Sequence, residues 1–388
     1  MSVEGSTTTL TNPRVPGEPA GRYRVELARG VAAVDRDAWN DVVNRCAGAI
    51  FYAWEWLAAF EESPPGVFEP AHLLAYDGED LVGVCPAYLV HHCPRLEYAL
   101  TLGAPIDLRR DGPVLLAHSL AALRGGPLAL PGHRSAAHAL VTGLERAAGA
   151  LGAWAWGIAN APAGDLAGRL LGQGYAAAHL TTAYRLDTVA TTPERYWDGL
   201  PGRRRRRLRR EQRQGAEGLV IGESRPDATT MVRLAHAVLR EHDTPVDVLP
   251  EPYLRSLARH LRPYERTITA ADERGEVVAM FGGWQFGGEW ALWIAGLQTG
   301  RYSVFEPYHA MIAHSVEAAI TTDTRVLDLG RGNGVVKRRY GATGTPLFLA
   351  LKAADRGRDA LLHAWCRQVQ ARSQTSAHGL GVASRRCC

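Results

Sequence analysis

The chain has 388 residues, 46% hydrophobic and 22% charged, and is long and apolar enough to bury the cores of two ordinary domains. It contains no run of about eighteen apolar residues to span a bilayer, and its opening "MSVEGSTTTLTNPRVPGEPAGR" lacks the apolar core of a signal peptide, so a soluble cytoplasmic protein is expected. The net charge is +4, yet residues 203 to 213 hold eight arginines and one glutamate, +7, which leaves −3 for the remainder; the basicity is local and argues for a specific anionic partner rather than a uniformly basic surface.

In chain order, residues 1–20 are rich in Ser, Thr, Pro and Gly and are expected to be disordered. "RYRVELA" alternates as a strand does, and "AIFYAWEWLAAFEES" has apolar residues at helical spacing before the break at Pro64 and Pro65. In "AHLLAYDGEDLVGVCPAYLV" two β-rich runs flank Asp77-Gly78, a hairpin signal. "RSAAHALVTGLERAAGALGAWAWGIAN" reads as a helix running into a strand, and "DLAGRLLGQGY" as a short helix closed by glycine. Six cysteines show no metal-ligand spacing, so reduced thiols and no metal site are expected, with Cys85 and Cys93 as packing residues.

The second half opens on "PGRRRRRLRREQRQG", followed by two helices, "DATTMVRLAHAVLREHD" and "EPYLRSLARHL". Three strands with "ERGE" and "FGGE" turns come next in "RTITAADERGEVVAMFGGWQFGGEWALWIAGL", then a helix "YHAMIAHSVEAAI" and a strand "RVLDLG". Both halves show helix, hairpin, helix and strand, a repeat of plan rather than of letters. The expected division is 1–20 disordered, 21–188 first domain, 189–373 second domain beginning with the arginine helix, and 374–388 a disordered tail.

Four stretches carry a family resemblance: "IFYAWEWLAAFEES" with "PAHLLAYDGEDLVGVCPAYL"; "TTAYRLDTVATTPERYWDGLPGRRRRRLRREQRQG"; "FEPYHAMIAHSVEAAI"; and "VLDLGRGNGVVKRRYGA". Together they resemble the GNAT-fold acyltransferases of the Fem type, the FemAB-like, peptidoglycan-biosynthesis and cellulose-biosynthesis-related acetyltransferase group. The resemblance implies an α/β (α+β) chain of tandem GNAT-like domains, with mixed, mostly antiparallel sheets flanked by helices and a basic helix at the domain junction. It also implies direct transfer of an acyl or aminoacyl group to an amine or hydroxyl, without a covalent enzyme intermediate.

Acyl-CoA enzymes of this fold cradle the pyrophosphate on a glycine-rich loop at a helix N-terminus. Here "QTGRYSVFEPYHAMI" supplies Gln298 and Gly300 but no second glycine, and places Phe305 and Glu306 where close backbone approach is wanted. Aminoacyl-tRNA is therefore the first donor expected, as a co-substrate with no tightly bound cofactor. An acyl-CoA or acyl-carrier-protein N-acyltransferase, or a non-catalytic nucleic-acid-binding protein of the same fold, are the alternatives.

Seven arginines, Arg203, Arg204, Arg205, Arg206, Arg207, Arg209 and Arg210, wrap the circumference of their helix, with Leu208 the only apolar residue among them. Such a helix either projects from the body or lines an anionic cleft, where planar guanidinium groups grip phosphate or an acidic carrier. "LDLGRGNGVVKRRYG" lacks the context of a dinucleotide fingerprint and reads as a glycine-rich turn presenting Arg331, Asn333, Lys337 and Arg338. An attacking amine must shed a proton, for which Glu306, His309 and Asp328 are the candidate acid-base residues. Trp284, Trp293, Tyr302, Tyr308 and His242 are candidates for the walls of a substrate pocket.

Overall fold

The computed structural model describes residues 7–10, 22–96, 107–189, 191–298, 306–322 and 324–379, with the backbone alone at 7, 9, 10, 306 and 371–379. The chain divides into two compact units, Met1–Thr181 with Pro346–Cys387, and Thr182–Thr345.

The first unit carries β1 (Thr7–Leu10), β2 (Arg24–Ala28), β3 (Val67–Pro70), β4 (His72–Asp77), β5 (Asp80–Cys85), β6 (Tyr88–His92), β7 (Val114–Ala117), β8 (Leu128–Ala129) and β9 (Ala155–Pro162). One sheet runs β1-β2-β4-β5-β8, antiparallel throughout. The expected hairpin is β4 and β5: Asp77 pairs with Asp80, and Gly78 takes φ 63° in the two-residue turn between them. In a second sheet β3, β6 and β7 pair antiparallel and β7 pairs parallel with β9. The crossover between those parallel strands includes helix Arg134–Ala150, whose buried Leu140, Leu144, Ala147 and Ala148 form the apolar stripe seen in its sequence.

The chain passes from one unit to the other within two strands, β10 (Ala176–Asp187) and, on the return, β16 (Thr343–Ala353). Residues Leu347 to Ala353 of β16 pair antiparallel with β9, which is why the chain from Pro346 belongs with the first unit and not, as the sequence implied, with the second. Helix Arg356–Gly379 follows and continues past Gln374, where a disordered tail was expected. Its buried Leu362, Trp365, Cys366 and Val369 recur at three- and four-residue spacing, the pattern of a helix seated on a core.

The second unit holds β11 (Leu219–Ser224), β12 (Thr267–Asp272), β13 (Val277–Phe286), β14 (Glu289–Leu297) and β15 (Val326–Arg331). Strands β11 to β14 pair antiparallel in sequence order, β14 pairs parallel with β15, and β15 pairs antiparallel with the last residues of β10. One core joins Ile268, Phe281, Trp290 and Leu327 of this sheet to Met311, Ile312 and Val316 of helix Glu306–Ile320 and to Leu208. Helix Ala228–Glu241 lies against β14, so closely that a Cβ on Gly296 would stand 2.7 Å from the Leu234 side chain. Among the described residues no helix is long and apolar enough to cross a membrane.

Candidate functional site

Parallel pairing of β14 with β15 covers Glu289↔Val326, Trp290↔Leu327 and Ala291↔Asp328, and ends there. At the same level β14 bulges against β13: Gly282 opposes Ile294 and Gly283 opposes Leu292, which leaves Trp293 as the extra residue. Beyond the last pair, Leu292 to Leu297 on one strand and Leu329 to Arg331 on the other line a cavity of about 240 Å³. Gly330 stands beside this opening with φ 72°, and a Cβ there would lie 2.7 Å from the Leu292 carbonyl oxygen. Only glycine allows both that dihedral and that approach.

The walls are mostly carbon. Phe281, Leu297, Met311 and Leu329 face the cavity, with Tyr308 set edge-on against Phe281 at 5.3 Å and 84°. The polar lining comes from His242, at the end of helix Ala228–Glu241, and from Arg331, Asn333 and Lys337. Lys337 sits on the short helix Gly334–Arg339 and is 4% exposed, with Nζ donating to the Arg331 carbonyl oxygen at 2.6 Å. Burial pulls its pKa down to about 8, while the charge of Asp328 works in the opposite direction. Asp328 is itself fully buried, and its Oδ1 accepts a hydrogen bond from the Gly330 backbone N–H at 2.8 Å. That bond pins the glycine turn from which Arg331 and Asn333 project, and the same carboxylate favours the ammonium form of Lys337.

The residues expected from sequence are thus only partly brought together. Arg331, Asn333, Lys337, Trp293, Tyr308 and His242 share the cavity wall. Asp328 lies behind the wall, acting on the turn and on Lys337. Arg338 points elsewhere: its Nη1 donates to the Tyr184 hydroxyl at 2.8 Å and its guanidinium stands 5.4 Å from that ring. Trp284 is buried in β13 and meets Trp293 at 5.7 Å without lining the cavity. His309 is buried with Nδ1 3.6 Å from Glu211 Oε2, and burial lowers its pKa while Glu211 opposes that shift. The ring therefore meets the arginine helix, and His309 is absent from the cavity lining. The Glu306 side chain and the whole of Tyr302 lie outside the described residues, as does the loop 299–305 that was compared with a pyrophosphate cradle.

The arginine run forms helix Gly202–Gly215, within the second unit and past the division at Thr181. It neither projects freely nor carries charge all round. Leu208 is fully buried in the core, Arg209 reaches Glu317 Oε1 at 2.9 Å and stacks 4.0 Å over the Trp197 ring, and Arg205 pairs with Asp198 at 2.6 Å. Glu211 is the hub on the inner side, bound to Arg207 at 2.8 Å and to Arg339 at 3.0 Å. Arg339 belongs to the short helix that bears Lys337, so the basic helix is tied to the segment that supplies the cavity's cation. On the outer side, Arg203, Arg206, Arg210 and Arg213 are exposed and, with Arg205, Arg207 and Arg209, line a surface hollow of about 690 Å³.

Glu211 and the apolar wall residues were not singled out from the sequence. The lone acid inside "RRLRREQRQ" is a usable signal, since a single carboxylate among arginines is a natural internal partner for them. The wall residues read only as core.

The first unit carries a hydrogen-bonded cluster at the end of its own parallel strand pair. Its parallel pair, β7 and β9, ends at Ala117↔Ile158. Just beyond, the Asn160 side chain donates to Ser119 O at 3.1 Å and Ala122 O at 2.9 Å, and its backbone oxygen accepts from Gly125 N at 3.1 Å. Gly125 crosses so near that a Cβ would stand 1.9 Å from the Ala159 carbonyl oxygen.

Residues 202–340 match the family described as an acetyltransferase (GNAT) domain, a span that includes the cavity wall and the arginine helix. Among solved structures, FemX superposes with a TM-score of 0.59 at 10% identity, covering 82% of this chain and 96% of that one. The C-terminal domain of a putative lysylphosphatidylglycerol synthetase from Agrobacterium fabrum superposes with 0.54 at 14%, covering 86% and 95%, and L-PGS from Bacillus licheniformis with 0.54 at 13%, covering 86% and 97%. A tandem GNAT protein from the clavulanic acid biosynthesis pathway superposes with 0.51 at 13%, covering 91% and 99%. No curated protein matches the sequence. At these identities the superpositions show the fold alone, one shared with FemX and with a tandem GNAT protein, and the family match assigns an acetyltransferase (GNAT) domain to residues 202–340 of the second unit.

Proposed function

We propose that the second unit transfers an aminoacyl group from aminoacyl-tRNA to an amine, in the cytoplasm, during assembly of a specialised metabolite or a cell-wall-type precursor. One observation carries this reading: the cavity at the parting of β14 and β15 and the arginine-lined hollow are built on neighbouring elements joined through Glu211 and Arg339. Phosphate groups of a carrier held on the outer arginines need not enter the cavity, whereas the reacting ester does.

In this reaction the amine nitrogen bonds to the ester carbonyl carbon, the carbonyl oxygen gains negative charge, and the bond to the ribose oxygen then breaks. The proton shed by the amine ends on the departing ribose hydroxyl. Lys337 has one hydrogen on the Arg331 carbonyl oxygen, and its ammonium directs the others at the developing oxyanion. Asp328 sustains that positive charge and fixes the turn. His309 and Glu306 receive no role in this scheme.

The test is single-turnover transfer of a labelled acyl group from charged tRNA, acyl-CoA and acyl carrier protein to a panel of amines. Ribonuclease-sensitive amide formation is expected with charged tRNA. Formation of the same amide from acyl-CoA alone would move the donor assignment to the CoA class, and tight, salt-dependent RNA binding without any transfer would leave a binding protein.

A further inference from the structure

The cavity of the second unit is an extension of its hydrophobic core. Phe281, Leu292, Leu297, Met311, Ile312 and Leu329 all belong to the continuous core cluster and all face the open space. Its polar lining is His242, at the end of helix Ala228–Glu241, together with Arg331, Asn333 and Lys337 from the end of β15 and the turn and short helix after it. A carbonyl held there sends the rest of its acyl group among carbon. A charged or hydroxylated tail in that position loses its hydration and finds no partner on those six walls.

Volume narrows the choice further. An apolar cavity of about 150 Å³ takes up benzene, and pockets for whole drug-sized molecules begin at about 300 Å³. At about 240 Å³ this one lies between. An acetyl or glycyl group leaves most of it empty, whereas a phenyl ring or a six-carbon chain fills it.

We propose that the cavity accepts an acyl group with an apolar tail of roughly phenyl or six-carbon size, seated among Phe281, Leu297 and Met311. This rests on reading the cavity as the site of transfer and names the substrate class of that site. Ala279 sets the depth. It lines the cavity from β13, is paired with Leu297 and is 2% exposed, so a larger side chain at this position shortens the space.

The experiment measures equilibrium binding of carrier-free amides to the full-length protein by calorimetry and by chemical-shift perturbation. Hexanamide, phenylacetamide, acetamide and succinamate are the probes, and the matching acyl donors are then compared in transfer. The two large apolar amides should bind roughly tenfold or more tighter than acetamide and than the anionic succinamate. Ala279→Leu should weaken the large amides by roughly tenfold while sparing acetamide, and Phe281→Ala should shift the preference toward longer chains, with thermal unfolding confirming that each variant folds. Equal binding of all four probes, preference for succinamate or acetamide, or indifference of folded Ala279→Leu and Phe281→Ala proteins overturns the proposal. Selective amide binding with no transfer from any donor counts against the transferase reading and leaves the tail preference standing; transfer restricted to acetyl or succinyl groups does the reverse.

Discussion

Lys337 is a cation set in a wall of carbon, and its cost and its use have the same origin. An exposed lysine titrates at 10.5, whereas burial holds this one at about 8. Between those values the unfolded chain binds the extra proton, so stability rises as pH increases from about 8 to 10.5 and the penalty is fully present below 8. Lys337→Met should remove that rise and stabilise the protein at pH 7 by up to roughly 3 kcal/mol, less the lost hydrogen bond to Arg331. Denaturant unfolding at pH 7 and pH 9.5 checks this. The same substitution should lower single-turnover transfer by roughly 10²- to 10³-fold, the usual loss for one oxyanion donor. Wild-type transfer should fall as pH rises through about 8, when the ammonium is lost, and the variant should lack that limb. The charge of Lys337 was legible in "NGVVKRR", and its nearness to the glycine turn with it. Its burial was not, because burial depends on residues distant in sequence, among them Tyr184, whose ring centre lies 5.8 Å from Nζ.

At the scale of elements, the arginine helix is divided between two tasks. Leu208 and Glu211 bind it inward, while Arg203, Arg206, Arg210 and Arg213 are exposed and line the hollow. Changing those four to Ser should leave the fold intact and weaken binding of charged tRNA, flattening the dependence of log Kd on log salt by about one unit for each phosphate no longer neutralised. Transfer from a small, carrier-free ester should be unchanged. If the salt slope is unaltered, the hollow is a solvated face and the carrier docks elsewhere. The helix was plain in the sequence as a run of charge, and so were the hairpin at Gly78 and the helices with clear 3.6-residue periodicity. Helix Arg36–Arg45 drew no expectation, although Asp35 caps it by accepting from Ala38 N at 2.8 Å. The bulge at Trp293 also left no trace: "EWALWIAGL" reads as uninterrupted strand, and the extra residue follows from its pairing with Gly282 and Gly283. The opening of the cavity depends on that register, and register is a property of two strands.

For the whole molecule, the two units repeat a plan but differ in what lies beyond the parallel strand pair. Each has a parallel strand pair with a long helix in the crossover; in one the space beyond the pair is a cavity, and in the other it holds Ser119, Ala122, Gly125 and the buried Asn160 amide. The repeat of plan was visible in the order of helices and strands. The filling was not, since "IAN" at the end of a strand gives no sign that the asparagine will bind two carbonyl oxygens. Asn160→Ala should leave those oxygens buried and unpaired and destabilise the protein by roughly 2 to 4 kcal/mol. The affinity of the second unit for its amide ligands should not change, and calorimetric unfolding alongside ligand titration checks both outcomes.

The proposed reaction places acyl transfer in the second unit's cavity, at Lys337. It is tested most directly by single-turnover transfer of a labelled aminoacyl group from charged tRNA to an amine, with wild-type protein and Lys337→Met side by side at pH 7.5. The expected result is amide product with wild type, and a rate lowered by roughly 10²-fold or more in a variant that is folded and binds the donor as tightly. Product formed equally fast by both proteins would contradict it.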